Sequence, residues 1–96
     1  MYASAITLQV DPKRIDEIAS VFNRLAPTFK EAKGWQGMYV LAERRGGQLR
    51  VVSLWETEDD ARALANSAAW QAMASELRGL LTDQPRRAVL EVIFHA

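Results

Sequence analysis

The sequence predicts an α+β fold of ferredoxin-like βαββαβ order: a four-stranded antiparallel sheet with helices on one face. Three observations carry this expectation. The spacing of apolar residues changes from two to three-and-four and back, twice along the chain. A pair of glycines joins the two middle β-rich runs. Finally, 96 residues with 49% hydrophobic and 25% charged side chains suit one domain over 1–96, burying roughly 60 to 70% of its unfolded surface.

The first strand is read from Tyr2, Ser4, Ile6, Leu8 and Val10 alternating with Ala3, Ala5, Thr7 and Gln9, since alternate strand residues face opposite sides. Asp11-Pro12 then starts a helix: Asp accepts orphan amide hydrogens, and Pro at the first helical position loses no needed donor. Ile15, Ile18, Ala19, Phe22, Leu25, Ala26, Phe29 and Ala32 recur at three and four, so one stripe faces the core to about Lys33, with Gly34 as the stop. Pro27 removes a donor within this helix, and a kink or break is expected near Leu25-Ala26. Met38–Glu43 and Leu49–Glu56 form an antiparallel hairpin, with Gly46-Gly47 supplying positive φ angles at the turn. Thr57 caps a short helix carrying Ala61, Leu64 and Ala65, and Ser67 caps another carrying Trp70, Met73, Leu77 and Leu80 or Leu81. The last strand is expected from Arg87 to His95.

Composition removes several classes of function. Without cysteine there is no disulfide framework, thiolate zinc site or thiol nucleophile, in keeping with a reducing, cytoplasmic setting. Twelve basic and twelve acidic residues leave no global positive field for phosphates, and Arg44-Arg45 and Arg86-Arg87 are too short for a patch that binds nucleic acid or anionic membranes. No apolar run approaches the ~18 residues of a membrane span. No Ser-His-Asp set, phosphate-binding glycine loop or metal-spaced carboxylate cluster is present.

One pattern sets this sheet apart. Tyr39 and Leu41 back onto Met38 and Val40, Val52 and Leu54 onto Val51 and Trp55, and Val89 and Ile93 onto Leu90 and Val92. Both faces are apolar, whereas helices cover one, and the uncovered face exceeds the few hundred Å² a monomer usually shows. A homodimer joined through the sheet faces, with a barrel at its centre, is the expected cover.

Gly34-Trp35-Gln36-Gly37-Met38-Tyr39-Val40, Val51 to Ala61 (VVSLWETEDDA) and Ser67-Ala68-Ala69-Trp70 together resemble the antibiotic biosynthesis monooxygenase-like family of dimeric α+β barrels. The resemblance covers nearly the whole chain. It implies the dimeric barrel and, for function, relatives that range from cofactor-independent quinol monooxygenases to haem-degrading enzymes and proteins without known activity. The haem-degrading relatives place an Asn on the first strand and an iron-binding His after the aromatic that matches Trp70. Here those stretches read Ala3-Ser4-Ala5-Ile6-Thr7 and Gln71-Ala72-Met73-Ala74-Ser75, so haem degradation is not the expected activity.

Two readings follow. In the first, the chain is a monooxygenase without metal, flavin or other cofactor, acting on a phenolic or quinol aromatic. Such a substrate supplies its own electrons to O2, and the protein supplies a dry aromatic cavity, donors to an oxyanion and a proton route. Phe22, Met38, Trp55, Trp70 and Met73 are the candidate walls, although aromatics and methionines on apolar stripes also serve as ordinary core. Asn23, beside Phe22, and Tyr39 are the candidate donors; Tyr39 points either into the cavity or into the dimer barrel. His95 has the right intrinsic pKa for a proton shuttle, but the penultimate position favours an exposed or interface role. In the second reading the chain is a non-catalytic dimer that binds a small apolar ligand or serves as a stress-linked accessory protein.

Overall fold

The computed structural model describes residues 1–96. Strands β1 (Tyr2–Gln9), β2 (Trp35–Glu43), β3 (Gln48–Trp55) and β4 (Arg86–Glu91) form one antiparallel sheet in the order β2-β3-β1-β4. Helices α1 (Ile15–Lys30), α2 (Glu58–Ala63) and α3 (Ala68–Leu77) cover one face, with short 3₁₀ turns at Pro12–Arg14 and Leu64–Asn66. The ferredoxin-like α+β order expected from the sequence is the one observed.

The period of two decides the layers. In β1 and β3, Ser4, Ile6, Leu8, Leu49, Val51, Ser53 and Trp55 are buried beneath the helices. Ser4 lies opposite Ser53, and Ile6 opposite Val51. Their neighbours Ala5, Thr7, Arg50, Val52 and Leu54 take the other face. From α1, Ile15, Ile18, Val21, Phe22 and Phe29 close over the sheet, and α3 adds Ala69, Trp70, Met73 and Leu77. Arg24 joins α1 to α3 through two hydrogen bonds to Glu76 (2.7 and 2.5 Å), which hold the Glu76 carboxyl below its ordinary pKa.

Caps fall where the side chains dictate. Asp11 Oδ1 accepts from the Lys13 amide (2.9 Å), Thr57 Oγ1 from the Asp60 amide (3.1 Å) and Ser67 Oγ from the Trp70 amide (3.1 Å). Four expectations are corrected. The first helix runs unbroken through Pro27, because the carbonyl that loses its donor belongs to Asn23, and both residues lie on the exposed side of the helix. It ends at Lys30 and not Lys33, where successive i to i+3 bonds from Glu31 and Ala32 tighten the chain into a turn before Gly34 (φ 81°). In the hairpin only Gly47 has positive φ. The last strand stops at Glu91, because its partner β1 begins at Tyr2 and only the bond from the Val92 amide to the Met1 carbonyl (3.0 Å) extends the pairing. Ile93 and Phe94 follow at 90% and 82% exposure.

Gly47 combines φ 72° with a close approach: a Cβ there would lie 2.0 Å from the Val10 carbonyl oxygen, against backbone that cannot swing aside. Gly47→Ala is expected to lower the unfolding free energy by about 1 to 3 kcal/mol in urea denaturation. Gly46→Ala, which displaces only the end of the Glu43 side chain, should cost under about 1 kcal/mol. Equal losses would refute this reading of the turn.

Candidate functional site

A cavity of about 310 Å³ opens between α1 and the edge strand β2. It sits at the low end of the ~300 to 1,000 Å³ typical of ligand pockets. The α1 stripe contributes Phe22, Ala26 and Phe29, and β2 contributes Trp35, Met38 and Val40. These positions follow from two local rules. Residues 22, 26 and 29 recur at helical spacing. Met38 and Val40 share the helix-facing side of β2, opposite Ser53 and Val51, and a register shift between Trp35 and Gly37 turns Trp35 to that same side, opposite Trp55. Asn23 and Lys30, two helical turns apart on α1, are the polar side chains at the rim, and both are exposed. Because Pro27 has no amide hydrogen, the Asn23 carbonyl also lacks its usual helical donor.

Three aromatic rings form the inner wall. Trp35 lies 6.2 Å from Phe29 at an interplanar angle of 30°, and 5.6 Å from Trp55 at 89°, an edge-to-face contact. Trp55 is 1% exposed, and its indole Nε1–H donates to Ser53 Oγ at 2.8 Å. The buried indole therefore has both its apolar body and its polar hydrogen satisfied. A second cavity of about 370 Å³ is lined by Trp55, Leu64, Ala32 and Ala63 with Lys33, Asp60 and Ser67.

Of the residues singled out from the sequence, Phe22, Asn23 and Met38 come together in the first cavity. Trp55 borders the second. Trp70 and Met73 line neither: Met73 is fully enclosed in the core, and Trp70 is buried with the Arg87 guanidinium 5.2 Å from its ring centroid. Burial lowers the Arg87 pKa. Tyr39 is 64% exposed on the sheet face away from the helices, so its hydroxyl is on the other side of the sheet from the cavity. His95 lies in the exposed C-terminal segment. The sequence reading starts the second strand at Met38, which leaves Trp35 outside it, and singles out neither Phe29 nor Lys30 as a cavity residue. Phe29 and Lys30 carry a usable signal, each lying two turns beyond Phe22 and Asn23 on the same helix. The turning-in of Trp35 depends on the irregular register at Gln36, which no periodicity announces.

Comparison with known proteins fits this architecture. The family model described as antibiotic biosynthesis monooxygenase matches residues 1–76. The chain is similar in fold to Rv0793 from Mycobacterium tuberculosis (14% identical, TM-score 0.78, covering 99% of this chain and 97% of the other). It is likewise similar to a protein of unknown function from Nitrosomonas europaea (17%, TM-score 0.82, 99% and 91%). A third such structure is SnoaB, a cofactor-independent oxygenase from Streptomyces nogalater (21%, TM-score 0.76, 98% and 94%). No curated protein sequence matches it. No helix is long and apolar enough to cross a membrane.

Core and cavity wall should respond differently to truncation. Met73→Ala, in a closed core, is expected to cost about 2 to 5 kcal/mol. Met38→Ala, half-buried at a cavity that is already open, should cost less than half as much. Chemical denaturation of both variants checks this, and similar losses would mean that Met38 is packed as core.

Proposed function

Because the chain belongs to the antibiotic biosynthesis monooxygenase family, we propose that it is a cofactor-independent monooxygenase acting on a small phenolic or quinol aromatic. One observation carries the reading: an aromatic-walled cavity whose polar groups, Asn23 and Lys30, stand two turns apart on one helix at its rim. A flat aromatic ring stacks against Phe22, Phe29 and Trp35, and its oxygen is left at the polar edge. There the Asn23 amide donates to the oxyanion while the Lys30 ammonium offsets its charge.

The reaction needs no reductant beyond the substrate. The phenol loses its proton, the phenolate gives one electron to O2, and the resulting radical pair joins to form a carbon–oxygen bond. Protonation of the peroxide, cleavage of its O–O bond and loss of the ring C–H proton then release water and leave a carbonyl. A phenol and O2 become a quinone and water, with every atom and electron accounted for. The protein's part is to orient the ring, to exclude bulk water from the apolar walls, and to stabilise the developing anion.

Oxygen consumption with a panel of quinols and naphthols, by protein freed of metal and flavin, tests the proposal. Turnover is expected, and Asn23→Ala should reduce it by about 10 to 1,000-fold, the upper part of which is the loss seen on removing one preorganised oxyanion donor and the lower part of which reflects the exposure of Asn23. Saturable binding without turnover would favour the reading of a non-catalytic ligand carrier. That alternative is supported by the thin and exposed polar lining of the cavity.

The reading includes a homodimer joined through the open sheet faces. Its support is the apolar character of the uncovered face: Tyr39, Leu41 and Leu90 are 64%, 52% and 52% exposed there, next to half-buried Val52 and Leu54. Sedimentation velocity at micromolar concentration should show a dimer. Val52→Asp or Leu54→Asp should yield folded monomer, because each charge would be desolvated at the interface and not in the helix-covered core. A monomeric parent protein refutes the dimer.

A further inference from the structure

We infer that the second cavity is a binding site for a small aliphatic amine, which buries its hydrocarbon body against Trp55 and Leu64 and pairs its ammonium with the Asp60 carboxylate. The inference stands apart from the aromatic substrate site, since the two cavities share no lining residue. At about 370 Å³ the second cavity is the larger, and its volume falls within the range that holds small ligands.

The floor is apolar. Trp55 and Leu64 are 1% and 2% exposed, and the Trp55 indole N–H already donates to Ser53 Oγ at 2.8 Å, so the ring offers the cavity hydrocarbon and no donor. Three polar side chains share the lining, and two of them are unsuited to hold a ligand. Ser67 Oγ donates to the Leu64 carbonyl (2.8 Å) and accepts from the Trp70 amide (3.1 Å), which commits it to the cap of α3. Lys33 is exposed and forms no ion pair, and its flexible four-carbon stem leaves the ammonium in water.

Asp60 is the third, and it is half-buried. Its amide donates to Thr57 Oγ1 (3.1 Å), but its carboxylate accepts no hydrogen bond and joins none of the four ion pairs, one of which, Arg62 to Glu58, lies on the same helix. The position of the carboxylate is nonetheless set. It rests on the bare Cα of Gly34 (φ 81°), where a Cβ would overlap it, and the Gly34 carbonyl is tied to the Glu56 amide (2.8 Å). A ligand that fills the cavity excludes water from this carboxylate, and a charge so buried is costly unless the ligand brings a donor of opposite sign. An alkylammonium meets both demands, hydrocarbon for the floor and a charge-assisted hydrogen bond for Asp60. A carboxylate of the same shape faces Asp60 as a like charge, and an alcohol supplies one weaker donor. At constant shape, charge is what the cavity discriminates.

Titration of cyclohexylethylamine, cyclohexylethanol and cyclohexylpropionate into isotope-labelled protein tests this, with calorimetry for affinity and amide chemical shifts for location. The amine is expected to bind saturably, about tenfold or more tightly than either analogue. It should shift the amides of Asp60, Ala63 and Leu64 and leave those of Phe22, Asn23 and Met38 in place. Asp60→Asn, which keeps the size of the side chain, should lower amine affinity about tenfold or more and bring amine and alcohol level. Lys33→Met should leave amine affinity unchanged or raise it, by removing a like charge from the mouth. The ranking of the three ligands on the parent protein decides the matter even if a variant fails to fold. Absence of saturable amine binding, an alcohol or carboxylate that binds as well as the amine, an affinity unmoved by Asp60→Asn, or shifts confined to Phe22, Asn23 and Met38 would each overturn the site.

Discussion

A strand delivers alternate side chains to alternate layers, and in the two central strands this rule divides the molecule. β1 and β3 send Ile6, Leu8, Leu49, Val51 and Trp55 to the helices and Ala5, Val52 and Leu54 to the opposite face. A one-residue slip would exchange the two sets, yet both sets are apolar, so the hydrophobic pattern alone does not oppose the slip strongly. Register is held instead by specific contacts between strands: the Gly47 turn packed under Val10, whose amide donates to the Gly47 carbonyl (2.9 Å), and the buried Ser53 hydroxyl, which donates to the Ser4 carbonyl (3.5 Å). The same two-sidedness leaves an apolar face outward, which is the physical basis for the proposed dimer.

The aromatic wall shows how core and site share material. Trp55 is a core residue that also borders the second cavity, while Trp35, one contact away, packs on the core and lines the first. Rings packed edge to face gain about 0.5 to 1.5 kcal/mol beyond their burial, and they resist displacement more than aliphatic side chains with several free torsions. A cavity with such a wall keeps its shape when empty, so a ligand meets a preformed surface and orders little protein on binding. The polar edge is built differently. Asn23 and Lys30 stand on the exposed side of α1, where solvent reaches them, and their contribution depends on a bound ligand excluding that solvent.

The fold was legible because its signals are local. Periods of two and of three-and-four, the Asp11, Thr57 and Ser67 caps and the Gly-Gly turn all act within a few residues. Errors came where a partner elsewhere had the deciding role. Pro27 did not break α1, since packing of Phe22 and Phe29 on the sheet outweighs one lost bond on the solvent side. β4 ended at Glu91 because β1 ended opposite it. The site was legible only in part: helical spacing placed Phe22 and Asn23 together, and alternation put Met38 on the same side. Trp55, Trp70, Met73 and Tyr39 were equally plausible by composition, but their assignment to cavity, core or open face is a matter of which layer and which depth they occupy.

By itself, then, the sequence determined element order, the caps, the two-faced sheet and a family resemblance, because these depend on residue type and spacing along the chain. Tertiary structure alone decided that Trp35 lines one cavity and Trp55 another, that Lys30 joins Asn23 at the rim of the first, and that Tyr39 lies on the opposite face of the sheet. Those outcomes depend on the register irregularity at Gln36 and on distances between residues far apart in sequence. An irregular register turns a side chain from one layer to the other without changing the chain's composition or its average periodicity.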